Sequence, residues 1–479
     1  MGQYSRLGKN TILVFAGNAG AKLIGLLMLP FYTRWLDADE YGLTDVISIY
    51  VTFLISIVTC CICESIFIFP KGESKKRQTE LFSSAILFVT FTCITTAVIF
   101  FGVKSVAVLY DWHNSFVDNV WLIFFMMLSQ ITQQITQQFA RSLDKMMIYS
   151  GSGVVVTAGT ALFAFLLIPH YGVEGYVWSM IFAYLCGALF SLIASFQFRY
   201  ISFVSINKES CVEMLKYSIP LIPNAIMWWL VSALNRPIME FHCGLHDIGL
   251  FAVANKFPGI LSMVFAIFVT SWQISVLEEY GKPTFQKFYN NVMRIIFTCL
   301  SIVLIVISIS SKLLVTMFAS ASFYDAWQYV PLLTLGMLFT NLSGFSGTVF
   351  SAVRKSKYFF YSSVWGAVGA VLFNFLLIPS LKLWGAAISF LLSFAVMAVS
   401  RMFYARRYIK VTDIHVYGIM ILLDIMMIVV MSMGVDIIYP VIFGIVAIAI
   451  DLYMSRSMIR DFISGYFINV IKDRRDKSV

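Results

Sequence analysis

Ionisable and amide side chains set inside long apolar runs are the residues here whose chemistry matters. A charge in hydrocarbon costs about 3 kcal/mol or more and is kept where it faces a cavity or a partner. Lys22 stands near the middle of the first apolar run, with Asn18 one turn earlier on the same helical face. Lys256 follows Asn255 inside a later run, while Arg34 and Asn235-Arg236 stand at the ends of theirs. Arginine meets phosphate bidentately and lysine meets it as a point charge. Lys22, Arg34, Arg236 and Lys256 therefore point to an anionic substrate, with Asn18, Asn235 and Asn255 beside them. The structural alternatives are a Lys22 paired to Glu64, and arginines that stretch to the membrane interface.

A second group is made of amides. Gln130, Gln133, Gln134, Gln137 and Gln138 crowd one apolar run, and positions 130, 134, 137 and 141 share a helical face ending at Arg141. Donors and acceptors at this density suit sugar hydroxyls, so Gln130, Gln134 and Gln137 are candidate sugar contacts. The competing role is hydrogen bonding between neighbouring helices. Buried carboxylates bind protons or sodium readily, which makes Glu64 and Asp424 candidates for ion coupling, with Asp45 and Asp451 nearer the ends of their runs. His242 and His246 have no third ligand nearby and give no metal site. Pro220, Pro223, Pro237 and Pro258 interrupt two runs and offer bends for alternating access.

The elements that position these residues are membrane helices. With 59% hydrophobic and 12% charged residues and a mean hydropathy of +0.84, the 479-residue chain is far from the ~25% charge of soluble domains. Runs of span length fall near 11–31, 43–69, 81–103, 119–140, 148–168 and 173–197, then 214–235, 249–277, 291–310, 328–350, 358–378 and 384–404, with two more at 415–434 and 437–455. That is fourteen, read as six plus six plus two. If the N-terminus is cytoplasmic, 27 lysines and arginines fall on the inner side and 5 on the outer, with Lys22 and Lys256 inside spans. The net charge of +9 is thus a matter of topology, not of nucleic-acid binding. The first run reads as a retained helix without a cleavage pattern. The eight cysteines include no CxxC pair and read as small apolar packing residues.

The chain also repeats itself. Phe163-Ala-Phe-Leu-Leu-Ile-Pro169 returns as Phe373-Asn-Phe-Leu-Leu-Ile-Pro379 at an offset of 210, each followed by a matched glycine, Gly175 and Gly385. Glu40-Tyr-Gly42-Leu43 and Asp247-Ile-Gly249-Leu250 are related by an offset of 207. Duplicated half-bundles with a site at their interface are the pattern of secondary transporters. The expected organisation is an N-terminal six-helix lobe (1–200), a cytoplasmic linker (201–213), a C-terminal six-helix lobe (214–410), helices 13 and 14 (411–455) and a basic amphipathic cytoplasmic tail (456–479). No connection is long enough for a folded soluble domain.

These features together resemble the polysaccharide-transporter branch of the multidrug/oligosaccharidyl-lipid/polysaccharide exporter (MOP) superfamily, which includes O-antigen flippases. The residues that carry the resemblance are Arg34-Trp-Leu-Asp-Ala-Asp-Glu-Tyr41-Gly42, Asn235-Arg236 followed by Ile248-Gly249-Leu-Phe-Ala-Val-Ala-Asn-Lys256, and the Leu-Leu-Ile-Pro element of each half. Where many members have Asp-Arg this chain has Asn235-Arg236, so any role of that acid does not carry over.

The resemblance implies an all-α, MATE/MOP-like polytopic membrane protein without catalytic residues. It would sit in the bacterial cytoplasmic (inner) membrane with both termini cytoplasmic. Its cargo would be an undecaprenyl-pyrophosphate-linked oligosaccharide, moved from the inner to the outer leaflet. Its partners would be that substrate, membrane lipids, and the polysaccharide polymerase and chain-length machinery, with no nucleic acid. No cofactor is implied beyond a coupling H+ or Na+. The rival functions are a drug antiporter of the same superfamily, a membrane polymerase or ligase, and a scaffold of a polysaccharide assembly complex. A polymerase or ligase would need a sizeable outer loop.

Overall fold

Because hydrocarbon cannot hydrogen-bond a peptide group, a spanning chain must satisfy its backbone internally, and here it does so with helices. The computed structural model describes residues 24–476 other than positions 354 and 356. The first helices are α1 (Leu29–Trp35), α2 (Ala38–Val58), α3 (Ile62–Ile68), α4 (Lys75–Leu109), α5 (Val120–Ser142) and α6 (Met146–Ala194). Next come α7 (Lys208–Ser218), α8 (Ile222–Ala233), α9 (Asn235–His242), α10 (Leu245–Ala254) and α11 (Pro258–Glu279). The remainder are α12 (Phe285–Phe318), α13 (Val330–Ala352), α14 (Lys357–Ala405), α15 (Ile414–Ser432) and α16 (Ile438–Asp476).

Eight of these are long and apolar enough to cross a membrane, or nine if the bent series from Lys208 to His242 counts as one span. Two of the eight, α6 and α14, are 49 residues long. At a rise of 1.5 Å per residue each would reach about 74 Å, more than twice a ~30 Å hydrocarbon core, so each holds two spans joined at a kink. The described helices coincide with the apolar runs after the first, which lies mostly outside the described residues. The pattern fits fourteen spans.

The kinks are the sequence repeat made visible. Gly172 breaks α6 with φ 51° and ψ −127°, and Lys382 breaks α14 with φ 49° and ψ −125°. Each follows the proline of the repeated heptapeptide, Pro169 or Pro379, by three residues, and the two breaks are 210 residues apart like the heptapeptides themselves. Proline removes one backbone donor and crowds the preceding turn, and the chain then turns through a conformation that only glycine adopts freely. Lys382 takes that conformation with a side chain.

The chain divides into two compact units. The first takes residues up to Val253 with Phe318–Phe323 and Asn374–Leu383, and the second takes Ala254–Met317, Tyr324–Phe373 and everything from Trp384 onward. In the first unit, the acidic-x-Gly-Leu motifs meet. A Cβ on Gly42 of α2 would collide with the carbonyl oxygen of Leu245 and lie 2.9 Å from the amide nitrogen of Gly249. One on Gly249 of α10 would collide with the carbonyl of Ala38. Two helices thus touch backbone to backbone at repeat-related glycines.

Asp37 starts α2 with a reciprocal cap: its carboxylate accepts from the Glu40 amide at 2.8 Å, and Glu40 accepts from the Asp37 amide at 3.1 Å. Tyr41 then lies edge-on to Tyr176 and Phe323. The Asp-Ala-Asp-Glu-Tyr-Gly stretch that carries the family resemblance is, physically, a helix start and a helix crossing. In the second unit the core centres on Trp272 and Phe345, whose rings stack at 4.7 Å while the indole donates to Thr348 at 3.1 Å.

Gly42→Ala and Gly249→Ala each place a methyl against facing backbone, and either should abolish accumulation of folded protein in the membrane. Lys382→Gly removes a strain of about 1–3 kcal/mol and should raise the thermal midpoint of the purified protein, whereas Gly172→Ala should lower it by a comparable amount. An unchanged midpoint for both variants would mean that neither kink is strained.

Candidate functional site

Arg236 is the best-defined ionic centre of the first unit. It opens α9 and is 4% exposed, although its position at a span end would let it reach outward. Its Nε donates to Asp45 of α2 at 3.1 Å, its Nη1 donates to Asn235 at 2.9 Å and to the Ser232 carbonyl at 3.0 Å, and the guanidinium lies 4.6 Å above the Phe251 ring. The carboxylate comes from α2 rather than from the neighbouring position, where Asn235 supplies an acceptor of lower charge. Close by, Glu240 of α9 accepts from the Tyr50 hydroxyl at 3.2 Å and from the Ser115 amide at 3.0 Å. Buried charge here is matched within the unit, as it must be where water is scarce.

The other cations are placed differently. Arg34 is exposed in the last turn of α1. Asn255 and Lys256 belong to the second unit; Lys256 is exposed, and Asn255 keeps a buried amide oxygen without a hydrogen-bond partner among the described residues. Asn18 and Lys22 lie outside the described residues.

On α5 the glutamines divide into two sets. Gln133 donates to the Ser152 hydroxyl at 3.2 Å and Gln137 to the Tyr149 carbonyl at 2.9 Å, so both tie α5 to α6. Gln130 and Gln134, one turn apart and half-buried, make no hydrogen bond to another described residue. Arg141 caps this face with its guanidinium 3.9 Å above the Phe67 ring. The residues between, Ile131, Thr132, Ile135 and Thr136, line an apolar groove of about 700 Å³ with residues of α4.

Of the carboxylates, Glu64 is exposed on α3, directly after Cys60 and Cys61, whose φ values of 47° and 55° break the helix between α2 and α3. Asp424 is fully buried in the second unit and accepts from Ser301 at 2.8 Å. His242 and His246 have no metal-binding company: among the described residues no group of three or more His, Cys, Asp or Glu could hold a metal.

The sequence reading passed over two buried arginines because positional counting assigned both to cytoplasmic flanks. Arg401, 6% exposed in α14, donates to the hydroxyls of Ser362 and Ser363 at 3.0 and 3.3 Å and to the Ser343 carbonyl at 3.2 Å. It has no carboxylate partner among the described residues. Arg294, 1% exposed in α12, lies 4.4 Å above the Tyr417 ring and 3.8 Å from Asp413. Their position inside apolar runs, rather than beyond them, was the available signal.

If Arg236 serves the Asp45 ion pair, Arg236→Ala should destabilise the protein by about 3 kcal/mol, the low end for breaking a buried pair because Asp45 retains 23% exposure. In a double-mutant cycle with Asp45→Asn, measured by thermal unfolding, the two changes should couple by about 1 kcal/mol or more. Additive effects would free Arg236 for another role.

Residues 7–273 match the family described as Polysaccharide biosynthesis protein, more than half of the 479 residues. No curated protein sequence matches the chain. Among solved structures, a lipid II flippase MurJ in an inward closed conformation superposes with a TM-score of 0.70 at 12% identity, over 94% of this chain and 100% of that one. An outward-facing multidrug resistance MATE family transporter of the MOP superfamily gives 0.58 at 12% identity, over 83% of this chain and 94% of that one. A MOP superfamily transporter from Pyrococcus furiosus gives the same TM-score, 0.58, with 12% identity and the same coverage, 83% and 94%. The chain therefore belongs to the polysaccharide biosynthesis protein family, and it has the fold of these MurJ and MATE structures.

Proposed function

We propose that this protein is a flippase that carries an undecaprenyl-pyrophosphate-linked oligosaccharide, the repeat unit of an O-antigen or related surface polysaccharide, from the cytoplasmic to the outer leaflet by alternating access. The observation that carries this reading is the polysaccharide-biosynthesis family match over residues 7–273, joined to a fold of the kind used by a lipid II flippase. The chain would reside in the bacterial cytoplasmic membrane with both termini inside. The two six-helix lobes at 1–200 and 214–410, the linker at 201–213, the last two spans to 455 and the basic tail from 456 are part of the same proposal.

The chemistry follows from moving a charged head group through hydrocarbon while its lipid tail stays in the bilayer. Lys22, Lys256 and Arg34 would replace the hydration of the pyrophosphate, whose transfer is otherwise prohibitive. Arg236, held by Asp45 here, joins them only if that ion pair opens. Gln130 and Gln134, with amides that no described residue engages, are the better-placed sugar contacts on α5, while Gln137 is committed to Tyr149. Asn18, Asn235 and Asn255 would complete the polar lining. Glu64 and Asp424 are the proposed ion-coupling acids, and the polymerase and chain-length machinery would receive the product.

Deleting the gene should remove the surface polysaccharide without altering growth in toxic cations, and Lys22→Ala should do the same at unchanged protein abundance. Sensitivity to cationic drugs with normal polysaccharide would favour the drug-antiporter reading; full output from a variant lacking every cavity cation would favour a scaffold.

A further inference from the structure

In the second unit, three residues from three helices meet in a way that ordinary protonation cannot satisfy. The Ser301 hydroxyl of α12 lies 2.8 Å from Asp424 of α15 and 2.8 Å from Asp451 of α16. All three residues are buried, Asp424 and Asp451 with 0% exposure. A hydroxyl has one proton to donate, and an ionised carboxylate has none. With both aspartates ionised, one of the two contacts would set lone pair against lone pair between like charges. No lysine or arginine compensates them among the described residues. The remaining oxygens, Asp424 Oδ2 and Asp451 Oδ1, are also buried without a hydrogen-bond partner among the described residues.

We propose that Asp424, Ser301 and Asp451 form a proton-binding site that holds one exchangeable proton in this conformation. One carboxylic acid donates to the serine oxygen, the serine donates to the other carboxylate, and the cluster carries a single negative charge. Releasing the proton would leave two adjacent buried carboxylates, a state that only a rearrangement of α12, α15 and α16 could solvate. The site thereby links protonation to helix packing, whatever cargo the protein moves.

A second observation points to how the proton arrives. Arg294, Thr298, Ser301, Ser308 and Ser311 recur on one face of α12, and each is at most 2% exposed. They run about 26 Å along the helix, close to the ~30 Å thickness of a bilayer core. Thr298 meets the Ser455 hydroxyl at 2.7 Å, and the Ser308 and Ser311 hydroxyls are buried with no partner among the described residues, leaving hydrogen-bonding capacity along the row. At one end Arg294 reaches Asp413, whose side chain is 45% exposed. Among the described side chains, the other charged groups on the surrounding helices lie away from the pair. Lys312 lies over the Trp327 ring, Arg456 lies over Tyr453, and α13 carries no charge. Lys287 and His415 stand about 21 and 13 Å further along their helices.

The test is infrared difference spectroscopy of the full-length protein in lipid, titrated in H2O and in D2O, without any transport substrate. A carbonyl stretch from one protonated carboxylic acid should persist at pH 7, shift in D2O and vanish in both Asp424→Asn and Asp451→Asn, since an asparagine amide can donate where the acid did. Ser301→Ala should keep the band and move its frequency. The wild-type spectrum alone overturns the proposal if no such band is present at pH 7, or if it appears only after sodium is withdrawn, which would make this a sodium site. Because no cargo enters the experiment, its failure leaves the flippase reading untouched, and the reverse holds.

Discussion

Every charge in this protein that lies away from water must find its partner inside the protein, and most of what is distinctive in the structure follows from that constraint. The Asp45–Arg236 pair answers it with opposite charges from helices 191 positions apart in sequence. Arg401 answers it with two hydroxyls and a carbonyl, keeping its charge without a counterion among the described residues. The Asp424–Ser301–Asp451 cluster answers it with a proton. Three chemistries solve one problem, and they differ in what they leave available. A closed ion pair is architecture, an uncompensated guanidinium attracts anions, and a shared proton can be given up.

The backbone obeys the same rule. Helices satisfy their own peptide groups, so departures from helix are costly and fall at particular places. Gly172 and Lys382 break two long helices at repeat-related positions, and Cys60 and Cys61 break another just before Glu64. Discontinuous helices are where transporters tend to expose polar backbone to a cavity or bend during transport. The close approach at Gly42 and Gly249 works in the opposite sense, since contact of backbone with backbone leaves no slack. The chain therefore combines a rigid crossing with bendable breaks.

Much of the fold was legible in the sequence because hydropathy and repetition are local signals. The repeated heptapeptide marked the duplicated halves, and the kinks fall just after the runs that end at 168 and 378, whereas nothing in the sequence named the backbone contact at Gly42 and Gly249. Side-chain partnership was not legible, because it joins residues far apart in number. Nothing near Arg236 in sequence names Asp45, and Ser301 is one serine in an apolar run. Gln137 and Gln134 look alike on a helical wheel, yet one is tied to the Tyr149 carbonyl and the other is not. Arg294 and Arg401 were assigned to flanks by position, whereas their length and hydrogen-bonding capacity let them stay buried.

The central claim is movement of a lipid-linked sugar between leaflets. Its most direct test places purified protein in vesicles holding undecaprenyl-pyrophosphate-linked oligosaccharide and follows, with a sugar-modifying enzyme outside, how much becomes accessible over time. The account predicts that access exceeding the outer-leaflet share appears only with the protein and disappears with Lys22→Ala. Accessibility that stays at the outer-leaflet share in the presence of folded protein would contradict it.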